Sequence, residues 1–118
     1  MGLVDRDFLM RLVKQLAEVI ARAMKLKLAK KNEEAAEVIE AGCLTLLGID
    51  WQTLAWVDSK SAAQLLKEPA RIHAFATLLE HHGLVSEDPS KFRHALEMYR
   101  EAGNDSGAVA RLEALLNA

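Results

Sequence analysis

The residues of this chain best able to do chemistry are four histidines and one cysteine. A metal site needs convergent ligands, such as two His four apart on a helix or paired Cys, and neither arrangement occurs in the sequence. His81 and His82 are neighbours, and successive helical side chains point about 100° apart, so a regular helix does not aim both at one ion. His73 falls opposite an apolar face of Ile72, Phe75 and Leu79, and His94 stands beside Arg93 and Glu97, so both are expected to face solvent. A His-activated thiolate at Cys43 would serve acyl transfer. Cys43 lies on a stripe with Ala36, Ile39 and Leu46, however, where a small buried apolar residue belongs, and a reactive thiolate needs an electropositive, partly exposed setting. The chain has no Gly-rich phosphate loop, nucleophile elbow, HExxH or CxxC, and no carboxylate pair is singled out for acid–base work. The expectation is a protein without catalytic residues, cofactor or metal ion.

Two further groups carry binding potential. Arg22, Lys25, Lys27, Lys30 and Lys31 form a basic cluster that could touch phosphate or RNA. No aromatic residue accompanies them for base stacking, and Glu33, Glu34, Glu37 and Glu40 follow at once. The cluster is therefore read as cations matched to the dipole of a helix C-terminus, with nucleic acid disfavoured as a partner. Trp51 and Trp56 flank Leu54. Five residues apart, they sit about 140° round a helix, so one can be buried while the other faces out. Both are expected to plug the core; the functional alternative is an exposed Trp that anchors a partner, as Trp often does at interfaces.

These residues must be positioned by helices. AVILMFWYC residues make up 51% of the 118 residues, enough to bury a core and to exclude disorder. Aromatics are only 5%, β-branched runs are absent, and helix-forming Ala, Leu, Glu and Lys dominate. From Asp5 to about Leu28, Asp7, Arg11, Lys14, Glu18, Arg22 and Lys25 form one polar stripe. The remainder of that helix is apolar, including Leu12, Leu16 and Val19, and is wider than one neighbour can cover. This first helix is expected to be central to a bundle or shared with a second copy. Asn32 is expected to cap a second helix that Gly48 ends near Leu47. Asp50 opens a short helix to Val57, and Ser59 or Ser61 a second short one to Leu66, with Ser61 and Gln64 at capping-box spacing. Pro69 starts a helix through Leu79 with Ile72, Phe75, Ala76 and Leu79 inward. Asp88-Pro89 opens another, which carries Phe92, Ala95, Leu96, Tyr99 and Ala102 on one face and ends at Gly103. A last helix turns Ala108, Val109, Leu112, Leu115 and Leu116 inward. The fold class is all-α over a single domain, 1–118, with about six helices, two of them short.

Two segments are alike: Ala35–Gly42 and Ala95–Gly103. The second fits the back half of a tetratricopeptide repeat, with Ala95, Tyr99 and Ala102 at its small, aromatic and small positions. The same register puts Gly83 and Leu79 at the small and large positions of the preceding helix, while His82, Ser86 and Gly107 depart from the pattern. Over nearly its full length the chain resembles a family of small, uncharacterised bacterial helical proteins related to tetratricopeptide repeats. The residues carrying that resemblance are Asp7-Phe8-Leu9-Met10-Arg11-Leu12, Gln15-Leu16-Ala17, Glu33-Glu34-Ala35 with Ile39, and Leu46-Leu47-Gly48-Ile49-Asp50 with Leu54 and the segment from Ser59 to Leu66. The resemblance implies stacked antiparallel helical hairpins and no activity.

Lys+Arg (15) and Asp+Glu (17) give a net charge of -2, which offers no bulk attraction to nucleic acid. No stretch reaches the ~18 apolar residues needed to cross a bilayer. The acidic N-terminus does not read as a signal peptide, Arg6 breaks a myristoylation pattern begun at Gly2, and the one Cys suits a reducing compartment. A cytoplasmic, non-enzymatic helical module is expected. Its partner is another protein or a second copy, met through Leu12, Leu16, Val19, Trp51 or Trp56. The alternative is a small-molecule or metal sensor.

Overall fold

The computed structural model describes residues 6–118. Met1–Asp5, on which the leader and myristoylation readings rest, lie outside the described residues. Among the described residues every regular element is an α-helix, and there are seven: α1 (Arg6–Leu28), α2 (Asn32–Leu47), α3 (Trp51–Trp56), α4 (Ser59–Leu66), α5 (Pro69–Ser86), α6 (Pro89–Ala102) and α7 (Ser106–Leu116). The all-α expectation holds. The total is one above the expected figure of about six, although the segments expected to be helical already number seven and each is present.

Local chemistry sets the boundaries. Asp50, Asp58, Asp88 and Asp105 each accept a hydrogen bond from a backbone N–H in the first turn of α3, α4, α6 and α7, supplying partners to donors that have none within the helix. The side-chain hydrogen bonds of Thr53 to Asp50 and of Ser90 to Asp88, and the backbone bonds to all four, hold these carboxyls below the usual Asp range. The cap of α4 is thus Asp58, which accepts from the Ser61 N–H at 2.7 Å, and neither Ser59 nor Ser61. Asn32 is the first helical residue of α2, and Lys31 precedes it without a side-chain cap. Gly48 and Gly103 close α2 and α6 in the left-handed region, φ 72° and 71°, where a Cβ is strained.

The packing departs from the expectation in one central respect. The helix in the middle of the molecule is α5. It packs against α1, α2, α4 and α6, and ten of its 18 residues are buried. On α1, which packs on α2 and α5, three of 23 are buried: Leu12, Val19 and Ala23. The expected inner face of α5 is in place, but Ala74, Leu78 and Val85 are buried too, and the helix runs seven residues beyond Leu79. Two glycines permit close helix approach. A Cβ on Gly42 would stand 2.8 Å from Val19 Cγ1, joining α2 to α1, and one on Gly83 would stand 3.0 Å from Lys91 Cβ and Phe92 Cε1, joining α5 to α6.

Candidate functional site

A helix buried on most sides forces its polar residues to find partners within the fold, because an unpaired buried polar group is costly. His73, Thr77 and Glu80 recur along α5 at the three- and four-residue spacing of one face, which meets α6 and α7. Tyr99 on α6 donates its hydroxyl proton to Glu80 Oε1 at 2.9 Å, and its oxygen lies 3.1 Å from Thr77 Oγ1. Burial, first, and then the charge of Glu80 push the phenol well above its ordinary range. Arg111 on α7 donates twice to the buried Glu80, at 3.0 and 2.8 Å, the two-pronged geometry that suits a guanidinium to a carboxylate. The hydrogen bonds to Glu80 hold the proton affinity of Arg111 above its ordinary value. His73 lies 3.1 Å from the carboxylate of Asp105 and meets the Tyr99 ring edge-on at 5.3 Å. His73 is therefore half-buried and paired, contrary to the solvent-facing placement its sequence neighbours suggest. Burial on the apolar side comes from α1, whose Leu9, Leu12, Val13 and Leu16 line a cleft together with His73.

The other histidines are also drawn in. His82 is buried, stacked on Trp51 with ring centroids 4.5 Å apart, and its Nε2 lies 2.8 Å from Glu40 on α2; its Nδ1 has no hydrogen-bond partner among the described residues. His81 Nδ1 is 2.8 Å from the Thr77 carbonyl. His94, expected on the outward side of its helix, is half-buried edge-on against Phe75, with Nε2 unpartnered among the described residues. Burial lowers its proton affinity, an effect that Glu97 opposes and Lys91 reinforces. The imidazoles thus lie in separate surroundings. Among the described residues no three His, Cys, Asp or Glu groups converge on one point. Cys43 is buried, as its stripe indicates; its Sγ lies 3.4 Å from the Ile49 carbonyl, and burial followed by the charge of Asp50 pushes the thiol up to about 12. A thiol held protonated in this way is a poor nucleophile at neutral pH.

The binding residues separate sharply. Trp51 is 8% exposed and packs between His82 and Phe75, whereas Trp56 is 87% exposed. The 140° between them places one in the core and the other in solvent, so only Trp51 is a plug. Of the α1 residues expected to meet a partner, Leu12 (5% exposed) and Val19 (7%) are buried inside the chain and Leu16 is half-buried. The apolar side chains that α1 offers outward are Met10, Val13 and Leu28, which sequence reading did not single out. Telling Val13 from Leu12 required knowing which side α2 and α5 cover. Beside Val13 the cleft between α1 and α5 has a volume of ≈ 170 Å³, walled by Leu9, Leu12, Leu16, Ala70 and Ala74.

No protein-family model matches the chain, and no curated protein or solved structure shows significant similarity to it. No helix of the described residues is long and apolar enough to cross a membrane.

Proposed function

We propose that this protein is a non-enzymatic helical module that binds another protein. The observation carrying this reading is the placement of Trp56. It is the largest side-chain type there is, set on a six-residue helix and left 87% exposed, although the fold five residues earlier buries an identical side chain. Exposure on this scale costs hydrophobic stabilisation that burial would return, and Trp is prominent among residues that anchor interfaces. The polar groups support the same reading from the other side. The groups most able to act chemically are engaged in hydrogen bonds of the fold or enclosed by it.

The finer architecture we infer is two stacked hairpins of the tetratricopeptide kind, α1 with α2 and α5 with α6. The alignment of Ala35, Ile39 and Gly42 on α2 with Ala95, Tyr99 and Ala102 on α6 supports it, since all six are buried. A cytoplasmic setting fits the free, buried Cys43. Self-association through α1 would have to use Met10 and Val13, because Leu12 and Val19 are already covered.

The test is affinity capture from the native lysate with wild type and Trp56→Ser as parallel baits, alongside light scattering of each. A protein retained by wild type and lost with Trp56→Ser supports the module. Identical capture profiles, or none, would end it. The cleft of ≈ 170 Å³ favours a second reading as a small-ligand site, since a pocket of about this size holds one aromatic ring. Thermal stabilisation by phenol or benzene, lost on filling the cleft with Ala74→Leu, would carry that reading instead.

A further inference from the structure

The near-neutral chain hides a strong charge division. Residues 6–31 contain eight Lys and Arg against Asp7 and Glu18, a balance of +6; residues 32–118 contain seven against fourteen Asp and Glu, a balance of -7. The fold uses these charges differently. Arg71, Lys91, Arg100 and Arg111 of the acidic part each pair with a carboxylate, but among the described residues none of the eight cations of residues 6–31 lies within 4.0 Å of one.

Four of those cations border an apolar strip. At 100° per residue, Met10, Val13, Ala17, Ala21 and Leu28 fall within an arc of about 80° on α1, and all five are exposed. On one side of this strip the same projection places Lys14 and Lys25, with Arg11 and Arg22 next to them and Asp7 and Glu18 among them; Arg6 falls within the arc and Lys27 beyond its other edge. On the other side lies the cleft of ≈ 170 Å³, which includes Val13 in its wall. The order across the surface is therefore recess, apolar strip, cations.

Resting on the reading as an interaction module, we infer that this surface docks an acidic amphipathic helix from a partner protein. Such a helix would lie along α1, insert one Leu- or Phe-sized side chain into the cleft, and set its carboxylates over Lys14 and Lys25. A second copy is the wrong occupant, because it would set another α1 of like charge, six Lys and Arg against Asp7 and Glu18, against this one. A flat anionic bilayer supplies the charge but no protruding side chain for the recess, and the strip is centred on the small Ala17 and Ala21.

Two fluorescein-labelled helical peptides with identical leucine stripes, one flanked by Glu and one by Lys, test this by anisotropy against the full chain. The Glu peptide is expected to bind at least about tenfold more tightly, with affinity falling as salt rises. Lys14→Glu with Lys25→Glu should reverse the preference between the two peptides. Val13→Asp should abolish binding of both, and Trp56→Ser should leave both unchanged; circular dichroism checks that each variant is folded. Equal binding of the two peptides, or binding of neither, overturns the inference. So does a dimer that Val13→Asp dissolves, or binding to phosphatidylserine vesicles in place of the peptides. Should neither peptide bind while Trp56-dependent capture persists, this surface is refuted and the module stands; failure of both refutes both.

Discussion

Helices α1 and α5 invite opposite conclusions from sequence and from structure. On α1 most apolar and charged residues separate into two faces, and the apolar face is wide. On α5 His73, Thr77, Glu80 and His81 share one side while Arg71 and His82 stand on the opposite side, so amphipathicity is nearly lost. A wide apolar face suggests the central helix, yet α1 lies at one side with three buried residues and α5 occupies the middle with ten. Width of an apolar face measures how much a helix could bury. Centrality is decided by how many neighbours reach it, and a helix surrounded by neighbours loses its polar face altogether. The polar residues of α5 survive there because α2, α6 and α7 each bring a partner: Glu40 for His82, Tyr99 for Glu80, and Arg111 for Glu80.

The comparison can be broken most directly by truncation. Phe75→Ala on α5 should cost about 3–5 kcal/mol, the usual range for emptying a large core site, whereas Val13→Ala on α1 should stay within about 0.5 kcal/mol. Urea denaturation of both measures the difference, and comparable losses would mean that α1 is as deeply embedded as α5. Next in size is Arg111→Ala. It leaves the buried Glu80 carboxylate with Tyr99 alone and should cost about 2 kcal/mol, toward the lower part of the range for charged hydrogen bonds because the guanidinium is half-exposed. Asp105→Ala removes both the α7 cap and the partner of His73, and should cost about 1 kcal/mol by the same denaturation assay.

A smaller effect should come from pH. Burial holds His94 below its ordinary proton affinity, so the unfolded chain binds this proton more readily than the folded one. Stability contributed by neutral His94 is complete above about pH 6.5 and declines as pH falls from there toward the lower folded-state value. The stability loss between pH 7.5 and 5.5 should be smaller in His94→Leu than in wild type; an identical loss would show that His94 does not titrate on unfolding. Fluorescence separates the tryptophans without altering the fold. Trp51→Phe should leave a red-shifted emission that iodide quenches readily, and Trp56→Phe a blue-shifted, protected one.

Helix starts were legible wherever a single side chain closes a local ring of hydrogen bonds. Asp50, Asp88-Pro89, Gly48 and Gly103 announce their roles because the partners lie within three or four residues. Asp58 was missed in favour of Ser59 and Ser61, since Asp and Ser cap equally well and three candidates stood within four residues. Cys43 was legible as a core residue because its neighbours on the helical stripe are apolar. The histidines were not. The composition of its own helix places His73 in solvent, whereas Asp105, 32 residues away, decides its surroundings.

The sequence by itself determined that the chain is helical, where most of its helices begin and end, and that the Trp51–Trp56 pair cannot share one face. Those properties depend on backbone hydrogen bonds, caps and a period of 3.6 residues, all of which act within a turn or two. Only the tertiary structure decided that α5 is the centre, that Trp51 is the enclosed tryptophan, and that the eight cations of residues 6–31 have no ion-pair partner among the described residues. These depend on contacts between segments far apart in the chain, and periodicity shows which residues share a face without showing what will cover it.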